Sequence, residues 1–81
     1  MALHLTIVTP ERTAFDGDVQ KVTVPGIQGE FQILPKHAAI VSVLVKGKVS
    51  YTKADGTSDS LMVDAGFVSV KRDQVNVCVE E

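Results

Sequence analysis

The sequence predicts an all-β domain, a flattened antiparallel β-sandwich or barrel built from short strands. Three observations predict it. Apolar residues recur at every second position through most of the chain, valine dominates those positions, and turn-forming residues break the runs at roughly 8–12-residue intervals. A branched Cβ loses χ1 freedom in a helix and packs well on a pleated surface, so alternating valines favour strand on both counts. No stretch repeats with a helical period.

Leu3, Leu5 and Ile7 share one face of the first strand, and His4 and Thr6 the other. Asp16-Gly17 reads as the turn that follows. Val22 and Val24 alternate with Lys21 and Thr23 until Pro25-Gly26, with Gly29 close behind. A short apolar run, Phe31 to Leu34, is closed by Pro35-Lys36-His37. One helical turn at His37-Ala38-Ala39 is the most helix expected. Val45, Gly47, Val49 and Tyr51 alternate with Lys46, Lys48, Ser50 and Thr52. Asp55-Gly56 then predicts a two-residue type I′ hairpin turn, in which both central residues take φ > 0. Leu61 and Val63 follow, and Asp64-Ala65-Gly66 reads as a bend or bulge. Val68 and Val70 lead to a last hairpin at Arg72-Asp73-Gln74, which returns through Val75, Val77 and Val79.

The chain has 81 residues, which is one domain, residues 1–81, with no linker or internal repeat. Eight basic residues against ten acidic ones leave a net charge of −2 with no basic block, which argues against nucleic acid or anionic lipid as partner. The longest apolar run, near Ala38 to Val45, is far short of the roughly 20 residues of a membrane helix, so no direct membrane insertion is expected. Polar and acidic residues arrive by Glu11 and Arg12, and no signal peptide is expected. A single cysteine, Cys78, allows neither an internal disulfide nor a four-thiolate zinc site. A small domain without disulfides fits a reducing compartment.

No constellation of catalytic residues stands out, and the expectation is a protein that is not an enzyme, with no cofactor and no metal. Cys78 lies between two valines on an alternating strand, where a structural thiol is the ordinary case. Asp16-Gly17-Asp18 has a cation-binding D-x-D form, but the remainder of a calcium loop is missing and the glycine reads as a turn. His4 reads as a solvated histidine on the polar face of its strand. Gly26-Ile27-Gln28-Gly29 matches no phosphate-binding loop, and Gly47-Lys48 runs into Val49 within a strand. Several apolar residues fall on the nominally polar faces: Val8, Val41 or Val43, and Met62. A small monomer rarely exposes a contiguous apolar patch, so some of these are expected at an interface.

The most distinctive stretch is Gly29-Glu30-Phe31-Gln32-Ile33-Leu34-Pro35-Lys36-His37-Ala38. Glu30 and His37 sit at opposite ends of a strand, seven residues apart at about 3.3 Å each, too far for a catalytic pair. They mark two exposed loops, which suggests binding.

These residues resemble the N-terminal domain of the ATP synthase epsilon subunit, whose pattern here is roughly Gly-Glu-(Leu/Phe)-Gly-(Ile/Val)-(Leu/Tyr)-Pro-Gly-His-Ala-Pro. Gly29, Glu30, Phe31, Ile33, Leu34, Pro35, His37 and Ala38 match, while Gln32, Lys36 and Ala39 depart from it. The opening run Leu3 to Arg12, then Phe15-Asp16-Gly17, and the late Gly66-Phe67-Val68-Ser69-Val70 also fit, in order along the whole chain. The resemblance implies about ten strands in two five-stranded sheets. It implies a non-catalytic rotor subunit at the foot of the central stalk, coupling proton translocation to rotary ATP synthesis. Its partners would be the gamma subunit and the ring of c subunits, and its place the cytoplasmic side of a bacterial membrane. Gly29 and Glu30 look like the ring-facing loop, and His37 with Ser42 like part of the gamma-facing surface. Lys36 in place of glycine would alter the corner or the surface that meets it. The family's C-terminal helical hairpin has no counterpart before Glu81, so inhibition by it and ATP sensing are not expected of this chain. The alternatives are an unrelated small β-domain serving as an adaptor and a small hydrolase; the want of a catalytic constellation weighs against the second.

Overall fold

A computed structural model describes residues 3–81. Eight strands follow one another: β1 (Leu3–Val8), β2 (Thr13–Gly26), β3 (Gly29–Ile33), β4 (Ile40–Leu44), β5 (Gly47–Lys53), β6 (Ser58–Val63), β7 (Ala65–Lys71) and β8 (Gln74–Glu80). The all-β expectation holds. The described strands number eight rather than about ten: Asp16-Gly17, expected as a turn, lies inside the unbroken 14-residue β2, which serves both layers, so these hold five and four strand segments in place of two five-stranded sheets.

That long strand is what joins the layers. Its first half pairs with β1, from Leu3↔Val19 to Ile7↔Phe15. Its second half pairs with β3 on one side and β5 on the other. The first layer therefore runs β4-β7-β8-β1 to the first half of β2, and the second runs β3, the second half of β2, β5 and β6. A single rung, Gly26↔Leu44, ties β4, the far edge of the first layer, to the end of β2 in the second layer, which closes the strands into a flattened barrel. The pairing is antiparallel except between β1 and β8, which run parallel. Loop connections that bring the two chain ends side by side need no hairpin there.

Alternation decides which residues meet inside. Leu3, Leu5 and Ile7, Val22 and Val24, Val49 and Tyr51, Val68 and Val70, and Val75, Val77 and Val79 form one core. Removing each such side chain from water contributes about 1.5–3 kcal/mol. Tyr51 stacks at 37° on Phe15, with ring centres 4.5 Å apart. Val45 leaves the expected pattern: it sits in the β4–β5 turn and is exposed.

Two turns exchange the roles read from the sequence. The Asp55-Gly56 hairpin forms, but its loop has three residues. Gly56 N donates to Lys53 O at 2.9 Å, Lys53 N to Thr57 O at 2.7 Å, and only Gly56 has positive φ, at 91°. This is a type I turn with a glycine bulge rather than a type I′ turn. Asp55 stabilises it by accepting from the Thr57 hydroxyl at 2.6 Å and from Thr57 N at 2.9 Å, and these bonds lower its pKa. The left-handed pair of a type I′ turn instead appears at Arg72-Asp73, with φ of 51° and 61°, and no glycine supplies it. At the third corner no helical turn forms over His37-Ala38-Ala39; Pro35-Lys36 make a turn and the chain then extends.

Candidate docking face and groove

Outward positions of the first layer line up in register across four strands. Val43 stands opposite Phe67, Phe67 opposite Cys78, and Cys78 opposite Val8. Cross-strand partners of this kind lie about 5 Å apart, so the four make one apolar row. Val41 extends it along β4, and Ile27, whose N–H donates to the Val43 carbonyl at 3.0 Å, extends it beyond the sheet edge. Val41 is 76% exposed, Ile27 63%, Val43 54% and Phe67 47%. The row borders an open hollow of about 500 Å3 lined by Val8, Pro10, Gly66, Phe67 and Cys78. In the next register Val41 stands opposite Ser69, and Asn76, Thr6 and Asp16 follow across the sheet; the one beyond carries Lys71, Gln74, His4 and Asp18.

Of the outer apolar residues expected at an interface, Val8, Val41 and Val43 share this face. Met62 does not: it is exposed on β6, opposite Lys48, in the other layer. Sequence reasoning missed Phe67 and Ile27. The signal for Phe67 was present, since Val68 and Val70 pointing inward force Phe67 outward.

Gly29 and Glu30 stand at the start of β3, just after the two-residue turn Ile27-Gln28. Both are exposed. Gly29 has φ of 124°, which a side chain rarely adopts, and nothing lies within 4 Å of a Cβ built there, so its glycine answers to backbone shape and not to crowding. The structure brings Gly29 and Glu30 together with Ser42: they line one groove of about 610 Å3 between the β2–β3 tip and β4. Ser42 shares the inward parity of Ile40 and Leu44, half-buried at the rim, and does not join the Val41 and Val43 face. His37 lies past the Pro35-Lys36 turn, half-buried, its N–H donating to Leu34 O at 3.1 Å and its Nδ1 2.8 Å from Ala38 O. It does not line the groove that holds Glu30 and Ser42.

Lys36 keeps the backbone that glycine would take, with φ of 66°. Its N–H donates to Asp73 Oδ1 at 2.6 Å, so the β7–β8 turn holds the corner in this conformation. Lys36 thus takes a conformation open to glycine and adds a charge to the corner's surface.

Among the described residues no group of His, Cys, Asp and Glu is arranged to hold a metal ion, and no helix is long and apolar enough to cross a membrane. Fold and surface together define a small β-sandwich domain that presents one flat apolar face and, beside it, a groove with an acidic lip.

The family model for the ATP synthase delta/epsilon chain β-sandwich domain matches residues 2–81, and the chain belongs to that family. It is 45% identical over 78 residues to the ATP synthase epsilon chain of Nitratiruptor sp., covering 96% of this chain and 60% of the relative. With the epsilon chain of Chlorobium limicola it is 36% identical over 80 residues, covering 99% of this chain and 91% of the relative. The chain thus spans about three fifths of the first of these and nearly all of the second. The fold superposes on a chain of the Euglena gracilis mitochondrial ATP synthase, a structure of OSCP, F1 and c-ring, with a TM-score of 0.92 at 22% identity, over 99% of this chain and 51% of the other. A chain of the Tetrahymena thermophila mitochondrial ATP synthase central stalk and c-ring gives 0.80 at 20% identity, over 100% and 65%.

Proposed function

We propose that this domain is a non-catalytic rotor part of an F-type ATP synthase, holding the gamma subunit on one surface and the c-ring on another. The observation that carries the reading is the in-register row Val43, Phe67, Cys78 and Val8 in a chain of this family. Exposed apolar side chains in a flat row lose contact with water only when a partner covers them. A closed β framework with short turns suits a part that must transmit torque without deforming.

In this reading the apolar row and the His37 corner face gamma, and the Gly29-Glu30 lip faces the polar loops of the ring. Glu30 and Ser42 line one groove, which supports a reading in which the ring-facing lip on β3 and the gamma-facing strand β4 are neighbours. The domain then lies peripherally on the cytoplasmic side of the membrane, where charged Glu30 remains hydrated until it meets the ring.

Native mass spectrometry of the chain mixed with the gamma subunit of its own organism tests the assignment. A one-to-one complex is expected; its absence in mild salt would end the rotor reading. Glu30→Ala should leave gamma binding and melting temperature unchanged while weakening ATP-driven proton pumping in the reconstituted complex. Loss of several degrees in melting temperature would make Glu30 structural instead.

A further inference from the structure

The charged corner of the first layer holds a second arrangement that the rotor reading does not use. His4 projects from β1 opposite Asp18 of β2, with Asp16 one diagonal away opposite Thr6. Its Nε2 lies 2.6 Å from Asp16 Oδ1 and its Nδ1 3.1 Å from Asp18 Oδ1. A neutral imidazole has one N–H and one lone pair, so it satisfies only one of these carboxylates and sets its lone pair against the other. Both contacts are hydrogen bonds only when the ring carries two protons. We infer that His4, Asp16 and Asp18 form a proton-operated clasp, closed by the imidazolium, that ties β1 to the first half of β2.

The surroundings leave the clasp to these three groups. From β8, packed on the other side of β1, the neighbours are Gln74 and Asn76, neither of which titrates. From the β7–β8 turn, the Asp73 carbonyl accepts the His4 N–H at 2.8 Å, its carboxylate is taken by Lys36 N, and Arg72 stands beside it. Lys71 is one strand further along the same row. The Asp18 hydrogen bond, and with it the shorter Asp16 bond, raises the histidine pKa from its ordinary value. Closed, the corner carries one net negative charge; open, it carries two, with two carboxylates facing the same side of one strand.

The sign follows from linkage. A pKa raised in the folded state contributes stability that is full below the unfolded value and is lost as pH rises through the folded one. All three side chains are about half exposed, so water and salt weaken the effect without reversing it.

The test follows the imidazole directly. His37→Gln leaves His4 as the one histidine, whose ring carbon-bound protons are titrated by NMR. A midpoint above the ordinary histidine range is expected, falling back toward it when Asp16→Asn and Asp18→Asn are combined. The melting temperature should separate the two proteins more at about pH 5.5 than at about pH 9. A midpoint within the ordinary range that the double change does not move would overturn the clasp, as would a melting difference independent of pH.

Discussion

The two layers of the sandwich bury the same kind of residue and show solvent opposite ones. Outward positions of the second layer read Lys21, Thr52 and Ser58 in one register, and Gln32, Thr23, Ser50 and Ser60 in the next. Those of the first layer read Val43, Phe67, Cys78 and Val8. Inside, both contribute valine, leucine and isoleucine to one core. The inner faces alone specify the fold, because burial rewards any strand that alternates. The outer faces are free to differ, and the proposed partner is a reason for one of them to give up polar residues. Met62 shows that a single exposed apolar side chain does not make a face; it has Lys48 for its neighbour and no row to join.

The largest expected effect comes from breaking the apolar face at its frame. Gly66 of β7 stands opposite Val79 of β8. A Cβ there would run into the Cys78 carbonyl oxygen and come within 2.7 Å of Val79 Cγ1 and 2.8 Å of Val79 Cα. Backbone cannot yield as a flexible side chain does, so Gly66→Val should force β8 away from β7 and destabilise the domain by about 3 kcal/mol or more. At about 4–8 °C per kcal/mol for a domain of this size, a thermal melt would fall by over ten degrees. An unchanged melt would mean that the two strands part without cost, and the row across them could not be a fixed surface.

Changing the surface without the frame sharpens the comparison. Phe67→Ser makes the first layer's outer face resemble the second's. Phe67 is nearly half exposed, so stability should change by about 1 kcal/mol or less. Affinity for gamma should fall by about tenfold or more, as truncation of an aromatic anchor does. Thr23→Ala, on the polar outer face, should change neither. Equal binding by the Phe67 and Thr23 variants in a titration against gamma would remove the distinction between the faces.

How much of this was legible follows the same division. Inward positions were readable wherever alternation is strict, as in Leu3-His4-Leu5-Thr6-Ile7 and Val75-Asn76-Val77-Cys78-Val79. Strand count was not, because Asp16-Gly17 carries a turn signature in a place where β1 pairs with both residues and holds them extended. Turn existence was readable and turn type was not. Asp55-Gly56 has the residues of a type I′ turn, but Thr57 captures the Asp55 carboxylate and favours a three-residue loop. Arg72-Asp73 has no glycine, yet the pairing of Lys71 with Gln74 leaves two residues to close the hairpin, and register overrides preference. Glu30 was expected on an exposed loop; it is exposed, but as the second residue of β3. Its neighbourhood with Ser42 was invisible, since the two come from strands of different layers that meet only through the fold.

The smallest effect concerns the corner where the chain passes from the polar layer to the apolar one. Lys36 holds a left-handed backbone at φ 66°. Such a conformation costs an ordinary residue roughly 1–2 kcal/mol, while glycine gives back about 0.5–1 kcal/mol through the extra freedom of the unfolded chain. Lys36→Gly should therefore stabilise the domain by about 0.5 kcal/mol, a rise of a few degrees in a melt. Asp73→Ala removes the acceptor of the Lys36 N–H and should cost about 1 kcal/mol. In the Asp73→Ala background, Lys36→Gly should stabilise more than it does alone, because glycine no longer needs Asp73 to hold the left-handed turn. If instead Lys36→Gly lowers the melt in both backgrounds, the lysine side chain is itself a structural contact. The corner would then belong to the folding frame and not to the surface offered to a partner.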